Sequence, residues 1–160
     1  MILYGVEIPD EKLVELGWTP PKKKAKKRWR GNENDTYFYV NPYCNVTSSP
    51  ERWEAVDDAR YLLGNYYSSK EEAEKALDKQ LAYMRLQDAL LEYNDGWEPD
   101  RSDGFQDNFF IVYSHYDNCF RSEHTNGYET NGGLFGTSNA CKRLIEEHED
   151  DLMVVWGLRN

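Results

Sequence analysis

Apolar residues at Ala73, Ala76, Leu77, Leu81, Met84, Leu90 and Leu91 recur at helical spacing, which predicts one long helix with a single apolar face. Ser69 stands at its N-cap with Glu72 at the capping-box position, and Asn94-Asp95-Gly96 is a stop. Ahead of the helix, the aromatic and β-branched run Tyr37-Phe38-Tyr39-Val40 reads as a strand turned by Asn41-Pro42. A second strand is expected at residues 45–48 and a third at 62–67, with a loop and a helical turn between them at 50–60. Near the start, Asp10 caps a short helix over 11–16, ended by Gly17 and Pro20-Pro21.

The same order returns later in the chain. Residues 109–113 form the strongest strand, Asp117-Asn118 turns it, and 119–123 lead back towards a tight turn at Asn126-Gly127. Leu134-Phe135 make a short strand, and Thr137 caps a helix running to about His148. Asp150 or Asp151 starts a last helical segment through Val155. Residues 64–77 and 132–145 align without a gap, each reading as glycine, two apolar strand residues, a hydroxyl cap and an amphipathic helix. The fold class expected is α+β, with two strand-strand-strand-helix halves at 31–96 and 108–160 and helices covering antiparallel strands. An acidic linker at 97–107 joins the halves, and a short helix with a basic arm at 1–30 precedes them. Two repeats are too few for a solenoid, so the halves are expected to pack on each other.

Aromatic residues make up 14% of the chain, a load that disordered sequences lack. There is no long apolar run and no signal-peptide pattern, so an unexported protein without membrane contact is expected. Cys44, Cys119 and Cys141 are an odd number without framework spacing, which points to a reducing cytoplasm. Charge is uneven. Residues 1–30 hold eight Lys/Arg against four Asp/Glu, whereas 31–160 hold eleven against twenty-five. A basic arm thus precedes an acidic body of net charge −14, which repels nucleic acid and attracts basic surfaces.

Most candidate chemistry dissolves on inspection. His115, Cys119 and His124 form the tightest metal-like group, but zinc sites use paired ligands at other spacings, and no metal or cofactor is expected. Cys141 aligns with Ala73 in the repeat, which suggests core packing. No nucleophile elbow and no P-loop is present, and Gly132-Gly133 precedes a strand and reads as a turn. Hence no catalytic residue is assigned.

Two acidic runs stand out because nothing local balances them. Glu146, Glu147, Glu149, Asp150 and Asp151 come almost consecutively, the first two at a helix C-terminus where negative charge opposes the dipole. Asp95, Glu98, Asp100, Asp103 and Asp107 line the linker with only Arg101 against them. Both are candidate partner-binding residues, against the plainer reading that they serve solubility and helix capping. The arm residues Lys22, Lys23, Lys24, Lys26, Lys27, Arg28, Trp29 and Arg30 are candidate nucleic-acid contacts, against a solvated linker whose Trp anchors the domain edge.

The stretch Gly64-Asn65-Tyr66-Tyr67-Ser68-Ser69-Lys70-Glu71-Glu72-Ala73-Glu74 resembles the GN-aromatic-aromatic-x-[ST]-x-EEAE motif of small accessory proteins of tailed phages and prophages. Gly17-Trp18-x-Pro20-Pro21, Lys27-Arg28-Trp29-Arg30 and Tyr37-Phe38-Tyr39-Val40 are similar to the same group, as are residues 110–116 and 134–145. Ser138-Asn139-Ala140-Cys141 departs from its pattern, where acids usually open the second helix. The resemblance implies a protein of the host bacterial cytoplasm, in a class enriched in inhibitors of host defence, including anti-CRISPR proteins. It transfers no catalytic residue. The reading that follows is a stoichiometric inhibitor of a host defence nuclease whose carboxylates mimic nucleic acid phosphates. Its competitors are a nucleic-acid-binding regulator using the arm, with RNA or DNA as partner, and a structural protein of phage assembly.

Overall fold

In the computed structural model, the description covers the strand backbones Ile2–Leu3 and Val6–Glu7 and residues 28–100, 102–126 and 134–159. The helix expected at 11–16, Gly127 of the turn expected at Asn126-Gly127 and the Gly132-Gly133 pair fall outside these residues. The two N-terminal strands, β1 (Ile2–Leu3) and β2 (Val6–Glu7), pair antiparallel. The rest is α+β, with antiparallel sheets of two and three strands and four helices among the described residues.

The first half opens with the hairpin β3 (Thr36–Val40) and β4 (Val46–Pro50), whose register pairs Phe38 with Ser48. Helix α1 (Ala55–Leu62) follows. Here the expectation at 50–67 needs correcting. The helical turn is a full helix opened by a capping box between Glu54 and Asp57. The expected third strand shrinks to a single antiparallel bridge between Tyr67 and Phe38. Leu62 and Leu63 carry strand-like composition, but Leu62 belongs to α1. Gly64, in the left-handed region at φ +78°, redirects the chain. Asn65 then stands in for strand backbone. Its amide oxygen accepts from Val40 N–H and its Nδ2 donates to Val40 C=O, both at 2.7 Å.

Ser69 caps α2 (Lys70–Asn94), and the Glu72 carboxylate accepts back from the Ser68 N–H and hydroxyl. Asp95, at φ +47°, terminates the helix. The second half repeats the order with a fuller sheet. β5 (Asp107–Ser114) pairs with β6 (Cys119–Asn126) on one edge and with the short β7 (Phe135–Gly136) on the other. Thr137 caps α3 (Ser138–Glu147), and α4 (Glu149–Trp156) follows after one residue. A second asparagine clamp joins the halves. Asn94 accepts from Thr137 N–H and donates to Phe135 C=O. A Cβ added at Gly136 would lie 2.6 Å from that Asn94 oxygen, so only glycine permits the approach.

The main core lies between the three-stranded sheet and the helices. Leu86, Ala89 and Leu90 of α2 meet Ile111, Phe120, Leu134, Ala140, Cys141, Leu144 and Leu152. Cys141 and Ala73 are both fully buried, in line with their matching repeat positions. The single apolar face expected on α2 is instead two. Ala82, Leu86 and Ala89 are buried on one side, while Leu81, Met84 and Leu91 remain exposed on the opposite side. At 100° per residue the two sets stand about half a turn apart. Helix α2 packs on the β3–β4 hairpin as well as on α3 and α4, so it buries more than one side.

Candidate functional site

The acidic run at the end of α3 is largely met from within the protein. Glu147 accepts from the Tyr93 hydroxyl at 2.7 Å and from Arg143 Nε at 3.1 Å, with the Arg143 guanidinium 3.8 Å from the Tyr93 ring centroid. These bonds, Tyr93 first, hold the Glu147 carboxyl below its ordinary range. Asp151 takes a forked pair from Arg85 at 2.6 and 3.0 Å, which depresses its carboxyl likewise. Asp150 pairs with Arg159 at 3.0 Å. Glu146 and Glu149 remain exposed, with no partner among the described residues. The anionic surface of this run is therefore narrower than its sequence suggests.

The linker at 97–107 keeps its acids facing solvent but gives them local work. Asp100 Oδ1 accepts from the Ser102 N–H and hydroxyl, and Asp103 Oδ1 accepts from Phe105 N–H. Gln106 laces the loop shut, accepting from Asp100 N–H at 2.6 Å and donating to Glu98 C=O at 3.1 Å. Such Asx turns fix loop backbone without regular structure. No described Lys or Arg pairs with Asp95, Glu98, Asp100 or Asp103, while Asp107 lies 2.8 Å from His124 Nε2. At the turn of this loop Phe105 is 94% exposed. Sequence reasoning passed over it, since one aromatic inside a polar linker carries no periodic signal.

The two acidic runs approach the same region of α2. Glu147 bonds to Tyr93 in its last turn, and Asp95 closes that turn. Next to them, a shallow hollow of about 410 Å³ is lined by Met84, Leu91, Trp97 and Phe135 together with Asp88 and Glu98. Leu91 is 73% exposed there. Exposed apolar side chains rimmed by carboxylates that have no ion-pair partner among the described residues are an arrangement suited to binding.

Of the arm, Lys22, Lys23, Lys24, Lys26 and Lys27 lie outside the described residues. Its end is a structural anchor. Arg30 donates to the fully buried Glu51 and to Asp58, with its guanidinium over the Trp53 ring. Trp29 packs on Tyr66 at 5.6 Å between centroids, and Arg28 covers the Tyr61 ring at 4.6 Å.

Behind this anchor sits a polar core that sequence reasoning missed. Tyr37 and Tyr66 stack at 4.0 Å, one hydroxyl donating to Asp57 at 2.6 Å and the other to Glu51 at 2.7 Å. Arg60 Nη1 donates to the Tyr37 hydroxyl at 2.6 Å. Burial alone would raise the Glu51 and Asp57 carboxyls, yet hydrogen bonds from tyrosines, Arg30 and backbone N–H groups outweigh it and lower both. Both carboxylates are enclosed and their charge is met by these bonds, so they brace the fold. Within the stretch 64–74, Asn65, Tyr66, Ser68, Ser69 and Glu72 likewise spend their side chains on local architecture.

The metal-like triplet is dispersed. Cys119 and His124 are five residues apart on β6 and so point to opposite faces, and His115 lies in the turn. Among the described residues no group of three or more His, Cys, Asp and Glu side chains is placed to hold a metal ion, and no helix is long and apolar enough to cross a membrane. Comparison with known proteins finds no matching family model, curated protein or solved structure.

Proposed function

We propose that the protein acts by stoichiometric binding, without catalysis, as an inhibitor of a nucleic-acid-binding protein such as an RNA-guided host defence nuclease. Its carboxylates occupy an Arg/Lys channel that otherwise holds phosphates. The observation that carries this reading is the braced loop at 97–107, which combines acids lacking a described Lys or Arg partner with the exposed ring of Phe105. Acids at a rim steer encounter with a cationic partner, and a buried aromatic anchor supplies the affinity. Glu98, Asp100 and Asp103 of the loop, with Asp95, Glu146 and Glu149, form the anionic face. Glu147, Asp150 and Asp151 contribute less, because arginines of the protein already meet them. A phage origin rests on the motif resemblance.

The arm as a nucleic-acid contact draws less support, since Trp29 and Arg30 are engaged internally. The test is competition. Labelled guide RNA or target DNA is loaded with a purified RNA-guided nuclease, and the protein is added at rising concentration. Displacement or blocked cleavage at near-equimolar protein, weakened at least tenfold by Phe105→Ala combined with Glu98→Lys, is the expected result. Unimpaired nuclease across a panel of such enzymes would contradict the proposal.

A further inference from the structure

A second groove, of about 800 Å³, lies on the first half between the β3–β4 hairpin, the end of α1 and the exposed side of α2. Its walls are apolar, with Leu63, Leu77, Leu81 and Met84 prominent, and Met84 also borders the acidic hollow described above. Leu63 is 83% exposed at the rim. Among the described residues that line it, Arg60 is the one charged side chain. Arg60 is held in place from behind. Its guanidinium lies 3.6 Å from the Tyr39 ring centroid, and one N–H donates to the Tyr37 hydroxyl. No described carboxylate forms an ion pair with it. Tyr67 lines the same groove, and its hydroxyl has no hydrogen-bond partner among the described residues. The hairpin tip that forms one wall is braced. Asn41 accepts from Tyr43 and Asn45 N–H and donates to Thr47.

We infer that this groove docks a short apolar segment of another protein that carries an aspartate or glutamate side chain, with its carboxylate taken by Arg60 and the Tyr67 hydroxyl. A planar guanidinium whose remaining N–H groups have no hydrogen-bond partner among the described residues suits a carboxylate, and an apolar trough suits the leucine-like side chains beside it. The charge of the groove is opposite to that of the acidic face, so the two surfaces select different chemistry. The open trough and the exposed leucine at its rim favour a protein segment over an enclosed small molecule.

The test uses the full-length protein against a displayed library of random twelve-residue peptides, with selected peptides then measured as synthetic ligands. Enriched peptides are expected to combine bulky apolar residues with one Asp or Glu at a fixed offset. Replacing that acid by its amide should weaken binding about tenfold or more, as a charge-assisted contact does. Arg60→Gln should weaken the acidic peptide equally and leave the amide peptide unchanged. Because Arg60 also touches Tyr37, Leu63→Glu serves as a second variant on an exposed side chain, with thermal unfolding as the check on folding. It should repel the acidic peptide while the unfolding temperature stays constant. Failure to enrich any peptide, or enrichment without an acid, would overturn the inference, as would peptides indifferent to both Arg60→Gln and Leu63→Glu.

Discussion

The Tyr66 hydroxyl donates to Glu51 Oε2 at 2.7 Å, joining the segment ahead of α2 to a carboxylate with no solvent exposure fifteen positions earlier. Arg30 bonds the same carboxylate from the end of the basic arm, and Trp53 N–H does so from two residues further on. Two segments distant in sequence are thus fixed on one side chain. Trp53 pays for this with a left-handed backbone at φ +58°, an uncommon state for so bulky a residue.

Glu51→Gln should therefore be among the more damaging single substitutions of the first half. Breaking a buried charge pair typically costs about 3–5 kcal/mol, and Glu51→Gln is expected at or somewhat below the lower end because its shape is kept. Urea unfolding of the variant against the parent measures it. Tyr66→Phe removes one hydrogen bond and leaves its acceptor short, for about 1–3 kcal/mol.

Acid should destabilise the protein through the same site. The Glu51 and Asp57 carboxyls are lower in the folded state than in the unfolded chain. The stability they contribute is present above the ordinary carboxylate range near pH 4 and is lost as pH falls through their folded values. Urea midpoints measured from pH 7 down to pH 3 should hold steady to about pH 5 and then fall. Glu51→Gln should flatten part of that fall. An undiminished slope in the variant would assign the effect to other groups.

Gly136→Ala should loosen the junction between the halves. The new methyl would lie 2.6 Å from the Asn94 oxygen and 3.0 Å from Leu90, and making room for it breaks the asparagine clamp at a cost of about 1–3 kcal/mol. Amide exchange of Thr137, whose N–H that oxygen accepts, should speed up in step.

The cysteines should differ in reactivity. Burial pushes the Cys141 thiol up to about 11 and closes it off from solvent, whereas Cys44 is exposed in the hairpin tip. A chromogenic disulfide reagent at pH 8 should label Cys44 rapidly and Cys141 only upon unfolding.

Several elements were legible from local signals alone. Hydroxyl caps at Ser69 and Thr137, the strand at 109–113 and the stop at Asp95 are local signals, and local chemistry decides them. What was not legible depends on distance in space. The pattern 73–91 on α2 gives no sign that the helix buries more than one side, because that follows from which elements pack around it. The run 62–67 has strand composition, but the backbone it would pair with is partly occupied by the Asn65 amide. Of the arginines that meet the acids at 146–151, Arg85 and Arg159 lie outside their neighbourhood in sequence, whereas Arg143 stands four positions before Glu147, a spacing open to local reading. Nothing in the sequence around Glu51 and Asp57 marks them for burial, because the tyrosines that bond them stand fifteen and twenty positions away.

Charge reversal at Glu146 and Glu149 should leave stability within about 0.5 kcal/mol, since neither side chain has a described partner. The same substitutions should slow association with a cationic partner.

The central claim, a braced anionic loop with an aromatic anchor that seats in a cationic protein channel, is tested most directly by association kinetics. The full-length protein is flowed over an immobilised RNA-guided nuclease at rising salt. The account predicts an association rate that falls steeply with ionic strength and a dissociation rate that rises at least tenfold with Phe105→Ala. Tight binding insensitive to both salt and Phe105→Ala would contradict it.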